Sequence, residues 1–228
     1  SKNSVMTFAV VKNAYQAIVT EKPSINANPK LILHQCVVDN AYDVGVFCVN
    51  SSLQADNSLI SNCGSNIVLS YGGIYNFTHC TVAAFSNDYL NHKNPVLTVN
   101  NFSTLTGTIL TADLNAVFRN NIFWGDEGIV TNEVLVNKQG TTPFNVLFEK
   151  NIYRATADPA NSTLTGNLKN QNPLFDSIDV NKRIFDFRTA NNTAAPGINA
   201  GVATGYLKDL DDRNRNVGLP DLGCYEKQ

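Results

Sequence analysis

Short apolar runs recur along this chain at a nearly constant spacing, and each run leads into a turn-forming residue. Residues 10–15 (VVKNAY) return as residues 37–42 (VVDNAY), 27 positions later, and related runs follow at residues 59–63 and 81–85. The later runs are 22 residues apart. Asn recurs at the turns, where it tolerates the left-handed backbone conformation. An internal repeat of this kind predicts a solenoid of stacked short strands.

The aligned repeats form columns of similar side chains, as expected when each column is one line of stacked residues. An apolar strand end is followed by a small or amide-bearing turn residue and then by an apolar strand start. A third strand is predicted over residues 17–20, 45–49, 66–71 and 128–131. Three strands per coil predict an all-β protein, a right-handed parallel β-helix. The columns are Met6, Leu33, Ala55, Phe77, Phe118 and Phe148; Ala9, Cys36, Ser58, Cys80, Asn121 and Asn151; and Val10, Val37, Leu59, Thr81, Ile122 and Ile152.

The same pattern predicts how the chain is organised. Residues 1–168 are expected to form the coils, with loop insertions near 87–110 and 132–142, and residues 169–228 a C-terminal cap continuous with the helix. In the cap, Arg215 is expected to pair with carboxylates and the segment to cover the last coil, whose strand edges would otherwise be exposed. Because the chain begins inside a coil, we expect it to be the C-terminal part of a longer protein. Missing N-terminal coils or another subunit would then cover the N-terminal end.

Charge and composition limit the kinds of partner that the chain is expected to bind. The formal net charge is -2 and the basic residues are scattered, so nucleic acid is not an expected partner. The sequence has no apolar run long enough for a membrane span. The five cysteines do not form a metal-binding spacing. Cys36 and Cys80 share a column two coils apart, roughly 9.6 Å, which is too far for a disulfide, so both are predicted to be free and inward-facing.

The C-terminal half carries motifs in a recognisable order: RNNIFWG at 119–125, NPLF at 172–175, PGINAG at 196–201, DLDDRNR at 209–215 and DLGCYE at 221–226. Together they resemble the C-terminal module of secreted bacterial β-helix proteins of the pectin-lyase-like superfamily, the choice-of-anchor Q group that is frequent in Bacteroidetes. The resemblance implies a β-helix fold and an extracytoplasmic location, whether secreted, periplasmic or on the outer surface. It implies no particular activity. The chain departs from the family pattern at Ala195, Gly197, Asp212, Asn214 and Cys224.

The superfamily resemblance suggests polysaccharide lyase or hydrolase chemistry, which needs paired carboxylates or an acidic calcium cluster. In such enzymes these groups usually line the outer face of the third strand. The positions predicted to point outward there are apolar, so they do not suggest catalysis. They are Val19, Phe47, Val68 and Val130.

The acids closest to that face lie in the turns just before the third strands. Asp88 and Asp126 are predicted to lie on neighbouring coils, where they could share a calcium ion or act as a carboxylate pair. Solvated turn residues that cap strand ends are the alternative interpretation. No other cofactor is indicated. The catalytic candidates are Asp43, Asp88, Asp126 and Glu127.

Aromatic residues near the turns suggest a different activity, because exposed rings on a rigid β-surface can stack on sugar faces. Tyr71, Tyr89 and Trp124 are the carbohydrate-binding candidates. The sequence therefore favours a secreted or cell-surface module that binds or displays polysaccharide and lacks a catalytic constellation. Two alternatives remain open, a polysaccharide lyase or glycoside hydrolase and a structural stalk or adhesin segment.

Overall fold

The chain folds as a right-handed parallel β-helix, which confirms the predicted fold class. The computed structural model describes residues 3–87, 89–105, 107–126, 128–190, 194–215 and 217–227, and all regular elements within them are β-strands. The coils contribute strands to three sheets, named here in the order in which the chain visits them; among the described residues, the first five coils have a strand in each sheet and the last two have strands in sheets 1 and 2. Sheet 1 contains β1 (Ser4–Thr7), β4 (Leu31–His34), the second part of β6 (Val44–Asp56), the second part of β8 (Ser65–Thr78), β13 (Leu114–Arg119), β16 (Phe144–Glu149) and β18 (Thr163–Thr165).

The other two sheets complete the triangle. Sheets 1 and 3 are continuous because β6 and β8 each run through both. Sheet 2 contains β2 (Val10–Lys12), β5 (Val37–Asp39), β7 (Leu59–Ser61), β9 (Thr81–Ala84), β14 (Ile122–Gly125), β17 (Ile152–Tyr153) and β19 (Leu168–Lys169). Sheet 3 contains β3 (Gln16–Glu21), the first parts of β6 and β8, β10 (Leu97–Asn100) and β15 (Val134–Asn137). Two antiparallel hairpins lie outside the coils, β11 (Phe102–Leu105) with β12 (Thr108–Thr111) and β20 (Phe175–Asp179) with β21 (Ile184–Thr189).

The strand register confirms the predicted apolar columns. In sheet 1 the column from Met6 to Phe148 is aligned residue by residue across six strands, and its aromatic members stack inside the helix. The ring centroids of Phe77 and Phe118 are 5.6 Å apart, and those of Phe118 and Phe148 are 4.7 Å apart. Offset stacking of this kind adds to the free energy gained by burying the rings. In sheet 2 the column from Val10 to Ile152 is also aligned as predicted.

A two-residue turn between sheets 1 and 2 repeats in every coil. Its first residue has a positive φ, and its second residue places a small or amide side chain inside the helix. Asn151 Oδ1 accepts a hydrogen bond from the Asn121 backbone N–H at 2.8 Å, and Asn151 Nδ2 donates to the Phe118 carbonyl at 2.9 Å. These side chains satisfy backbone groups that the turn would otherwise leave buried without partners. The positive-φ residues are Phe8, Gln35, Asn57, His79, Asn120, Lys150 and Gly166.

The cysteines are free and buried, as predicted for Cys36 and Cys80. Burial raises the pKa of the Cys48 thiol to about 12, and it also raises the pKa of Cys36 and of Cys80. The thiolate is the reactive form, so these residues serve as small core side chains.

Two predictions about the third strand and the loops were wrong. Residues 128–131 form a turn, and the strand of that coil is β15, in which Val134 and Val136 alternate inward. The predicted insertions at 87–110 and 132–142 therefore contain the sheet-3 strands β10 and β15. The error arose because the loops before β10 and β15 are long, so the alternating apolar residues of these two strands lie later in the sequence than the repeat predicts. Only part of the first insertion, the β11–β12 hairpin, stands outside the coils.

The C-terminal segment lies along the side of the helix, next to the turn between sheets 1 and 2. Hydrogen bonds join four successive turns to it. They run from the Gln35 side chain to the Asp209 carbonyl, from Arg215 to Asn57, from Thr204 to His79, and from Asn120 to the Val202 carbonyl. The predicted pairing of Arg215 with a carboxylate is confirmed by Glu226, 3.0 Å away.

The C-terminal segment follows this path because sheet 2 is apolar on both faces. Val38, Ile60 and Phe123 point into the helix, whereas Leu59 and Ile122 point outward. The outward side chains are buried beneath the C-terminal segment, packed against residues that include Phe187, Leu222 and Cys224. Burying apolar surface stabilises the fold by about 25 cal/mol per Å². The segment therefore completes a second core outside the coils.

Candidate polysaccharide-binding groove

The outer face of sheet 1 presents two rows of side chains that follow the helix axis. Both rows are fixed by the parallel register, which aligns outward residues from strand to strand. The first row is Ser52, Ile74, Asn115 and Asn145. The second row is Ile32, Gln54, Asn76, Val117, Leu147 and Thr163.

Three consecutive strands of this face share one composition. β8 presents Ile74 with Asn76, β13 presents Asn115 with Val117, and β16 presents Asn145 with Leu147. Each strand thus offers one amide and one aliphatic side chain, although the order is reversed in β8. An amide both donates and accepts hydrogen bonds, and the aliphatic group beside it can contact an apolar ring face.

Loops turn this face into a groove. Residues 23–29 rise beside β6 and β8 and enclose a cavity of about 440 Å³, whose lining includes Gln54, Ile74 and Asn76. A second cavity of about 490 Å³ lies over β13 and β16, with Asn115 and Asn145 in its lining. The register places Ile74 beside Asn115, so the two cavities lie over adjacent strands of one floor. Along the second row, from Gln54 to Thr163, this floor extends for roughly 19 Å at about 4.8 Å per strand.

The far border of the floor is formed by Tyr206 of the C-terminal segment, whose hydroxyl accepts a hydrogen bond from Gln54 Nε2 at 3.2 Å. Burial raises the pKa of Tyr206 to about 12, so the hydroxyl keeps its proton at neutral pH. Its ring is edge-on to His79, with centroids 6.5 Å apart. The border residue is therefore held by contacts with both the floor and the turn.

Charge in the groove is sparse. Asp113 is the one charged side chain among the described residues that line the two cavities. Ionisable groups on the adjacent outward row are paired with each other: His34 with Asp56, and Arg119 with Glu149 at 2.6 Å. Burial raises the pKa of Asp56, opposed by its hydrogen bond from His34.

The sequence-predicted acids lie away from this groove. Asp43 is exposed and accepts a hydrogen bond from Gln16 at 2.7 Å, whereas Asp126 is half-buried and accepts one from the Ser86 backbone at 2.9 Å. They are three coils apart, roughly 14 Å, which exceeds the separation of the carboxyl groups in glycosidases. Asp88 and Glu127 lie outside the described residues. Among the residues that are described, no three His, Cys, Asp or Glu side chains are grouped as a metal site.

The three predicted aromatic residues are not brought together. Tyr71 is half-buried at the end of the sheet-3 part of β8. Tyr89 is exposed, with the Arg183 guanidinium 4.5 Å from its ring centre. Trp124 packs beside Ile122 on the outer face of sheet 2. They occupy three different parts of the surface and do not form one stacking platform.

The outer face of sheet 3 is largely apolar, as predicted. Val19, Phe47 and Val68 are aligned on it, and the register continues through Thr98 to Leu135. The prediction that Val130 also points outward on this sheet was wrong, because this residue is buried in the turn that precedes β15. The described residues of this row include no acidic side chain.

A buried ionic cluster that the sequence did not reveal lies in the turns between sheets 2 and 3. Both carboxylate oxygens of Glu133 are 3.0 Å from His92 Nε2, and Arg154 donates to one of them at 2.6 Å. Glu133 is fully buried. A Cβ on Gly125 would lie 2.4 Å from both His92 and Glu133, so glycine is required at the end of β14. The cluster ties three long turns together.

Sequence analysis also missed the groove residues. The available signal was the column immediately before the apolar column of sheet 1, where Gln54 and Asn76 occupy outward positions. Such residues resemble any solvated strand surface until the loops beside them are placed.

The chain has the fold of the right-handed parallel β-helix proteins. Its structure is similar to the crystal structure of pectate lyase Pel9A, with a TM-score of 0.53 and 14% sequence identity. The match covers 98% of this chain and 59% of that protein. No protein-family model and no curated protein sequence matches the chain. Within the described residues, no helix is long and apolar enough to cross a membrane.

Proposed function

We propose that this chain is a polysaccharide-binding β-helix module that acts outside the cytoplasm, secreted or at the cell surface. The observation that carries the proposal is the groove on sheet 1, where amide and aliphatic side chains alternate on a rigid floor between raised borders. Polysaccharides present hydroxyl groups and apolar ring faces, which match those two kinds of side chain. The extracytoplasmic location is supported by the resemblance of the C-terminal motifs to secreted β-helix proteins.

Binding or display is favoured over lyase or hydrolase chemistry. The described acids Asp43 and Asp126 are too far apart to act together, and the outward row of sheet 3 that contains Val19, Phe47 and Val68 has no acidic side chain among the described residues. A purely structural stalk would not need a groove lined with amides. Calcium, if bound near Asp126, would belong to the catalytic alternative, so the test includes a chelator.

The test is retardation of the purified chain in native gels that contain soluble polysaccharides, with and without calcium or a chelator. We expect retardation in at least one gel, with no release of reducing or unsaturated ends. Asn76→Ala should weaken the retardation, whereas Thr98→Ala, on the outer face of sheet 3, should not. Migration that is unchanged in every gel would refute the binding function, and released ends would support the enzyme.

A further inference from the structure

The charge of the groove suggests which class of polysaccharide it takes. We infer that the groove binds a neutral polysaccharide laid along the helix axis, across the strands of sheet 1, and that it discriminates against polyuronates. The inference rests on the proposed function and specifies its ligand. The ligand would lie on the outer face of sheet 1, whereas the catalytic hypothesis concerns the outer face of sheet 3.

The first argument is the absence of cations from the groove. A polyuronate carries one carboxylate per sugar, and its recognition requires Arg or Lys side chains or bound metal ions. The described residues that line the two cavities include no Lys, Arg or His, and Asp113 adds a negative charge. The nearby Arg119 is already paired with Glu149 at 2.6 Å. A chain of carboxylates would therefore lose hydration on this floor without gaining a counter-charge.

The second argument is the repeat of the floor. Strands recur at about 4.8 Å, which is close to the length of one sugar unit in an extended glycan. Asn76, Asn115 and Asn145 are all exposed and lie on three consecutive strands. Successive sugars of a chain aligned with the helix axis would each meet one of these amides. A chain aligned with the strands would meet only one or two of them.

The third argument concerns the aliphatic partners of these amides. Ile74 is 65% exposed although it lies at the centre of the groove floor. Val117 and Leu147 occupy the corresponding places beside the other two amides, and both are partly exposed. Neutral sugars bury their C–H faces against such groups, whereas a charged polymer would retain more of its water.

The inference is tested by affinity gels and calorimetry on the whole chain with neutral glucans, xylans and mannans, and with polygalacturonate with and without calcium. We expect binding to at least one neutral polymer, changed less than about twofold between 0.05 and 0.5 M salt because no ion pair is involved. Asn115→Ala and Asn145→Ala should each weaken binding by about three- to tenfold, through loss of one hydrogen bond. Thr98→Ala is the control on another face.

A charge-insertion variant separates the ligand class from the site. Asn115→Lys should lose affinity for the neutral polymer and gain retardation by polygalacturonate at low salt. If the unaltered chain bound polygalacturonate as tightly as any neutral polymer, the inference would be wrong while the proposed function would stand. If it bound no polysaccharide, the proposed function would fail. Neutral binding that Asn115→Ala, Asn145→Ala and Asn115→Lys all leave unchanged would place the ligand elsewhere and overturn the inference.

Discussion

Inside the turn between sheets 1 and 2, the side-chain amides of Asn121, Asn151 and Asn167 form a hydrogen-bonded ladder, and replacing Asn151 by alanine removes its middle member. The Asn151 carboxamide accepts from the Asn121 backbone N–H at 2.8 Å and donates to the Phe118 carbonyl at 2.9 Å. Both Asn121 and Asn151 are fully buried. Alanine leaves one backbone donor and one backbone acceptor buried without these partners. Each unsatisfied group costs about 1–3 kcal/mol, so for the two groups we expect a loss of about 2–6 kcal/mol in the free energy of unfolding.

For a chain of this length, 1 kcal/mol shifts Tm by about 2–4 °C, so the expected decrease is about 4–24 °C. Thermal unfolding followed by circular dichroism measures it. The matched control is Asn145→Ala, which removes the same side chain from an exposed strand position and should change stability by about 0.5 kcal/mol or less. A Tm for Asn151→Ala within about 2 °C of the control would refute the reasoning, because it would mean that the ladder satisfies no essential backbone group.

The C-terminal segment and the cysteines yield two further predictions. Burial raises the pKa of Glu226 to about 7, so the folded chain binds a proton more tightly than the unfolded chain, and the free energy of unfolding should fall as pH rises from about 4.5 to 7. Glu226→Gln should flatten this part of the Tm–pH profile. Comparing the profiles of the unaltered chain and the variant separates the contribution of Glu226 from that of His79, whose pKa is lowered by burial. Equal slopes in the two profiles would contradict the role assigned to Glu226. The cysteines should react with a thiol reagent only after denaturant is added, because all five are buried and Cys48 has a pKa of about 12; rapid labelling of the native chain would disprove this.

Much of the coil could be predicted from the sequence, because its period is local. Every coil must return to the same place, so residues such as Leu33, Phe77 and Phe148 must be apolar and must stack. The turn ladder was predictable for the same reason, since a small or amide side chain is needed at one position in each repeat. The long turns at 87–96 and 126–133 were not predictable, because the regular spacing of the repeat is lost there. There, β10 and β15 had to be located by their pairing.

The candidate site shows where sequence reasoning ended. It correctly placed Val19 and Phe47 on an apolar outer face of sheet 3, but it searched for function among turn acids. The amides of sheet 1 are ordinary polar residues in the sequence. They become a groove only because residues 23–29 rise on one side and Tyr206 lies on the other. Tyr206 is 152 residues from its partner Gln54 along the chain, so no local pattern could connect them.

The sequence by itself determined the repeat, and with it the parallel β-helix, the stacked columns and the buried thiols of Cys36 and Cys80, because each follows from the side chains that one coil stacks on the next. Only the tertiary structure decided where the C-terminal segment lies. The outward Leu59 and Ile122 of sheet 2 are apolar, and burying them requires a partner from a distant part of the chain. Hydrophobic burial is non-directional, so the sequence shows that such a surface needs a cover but does not identify which segment provides it.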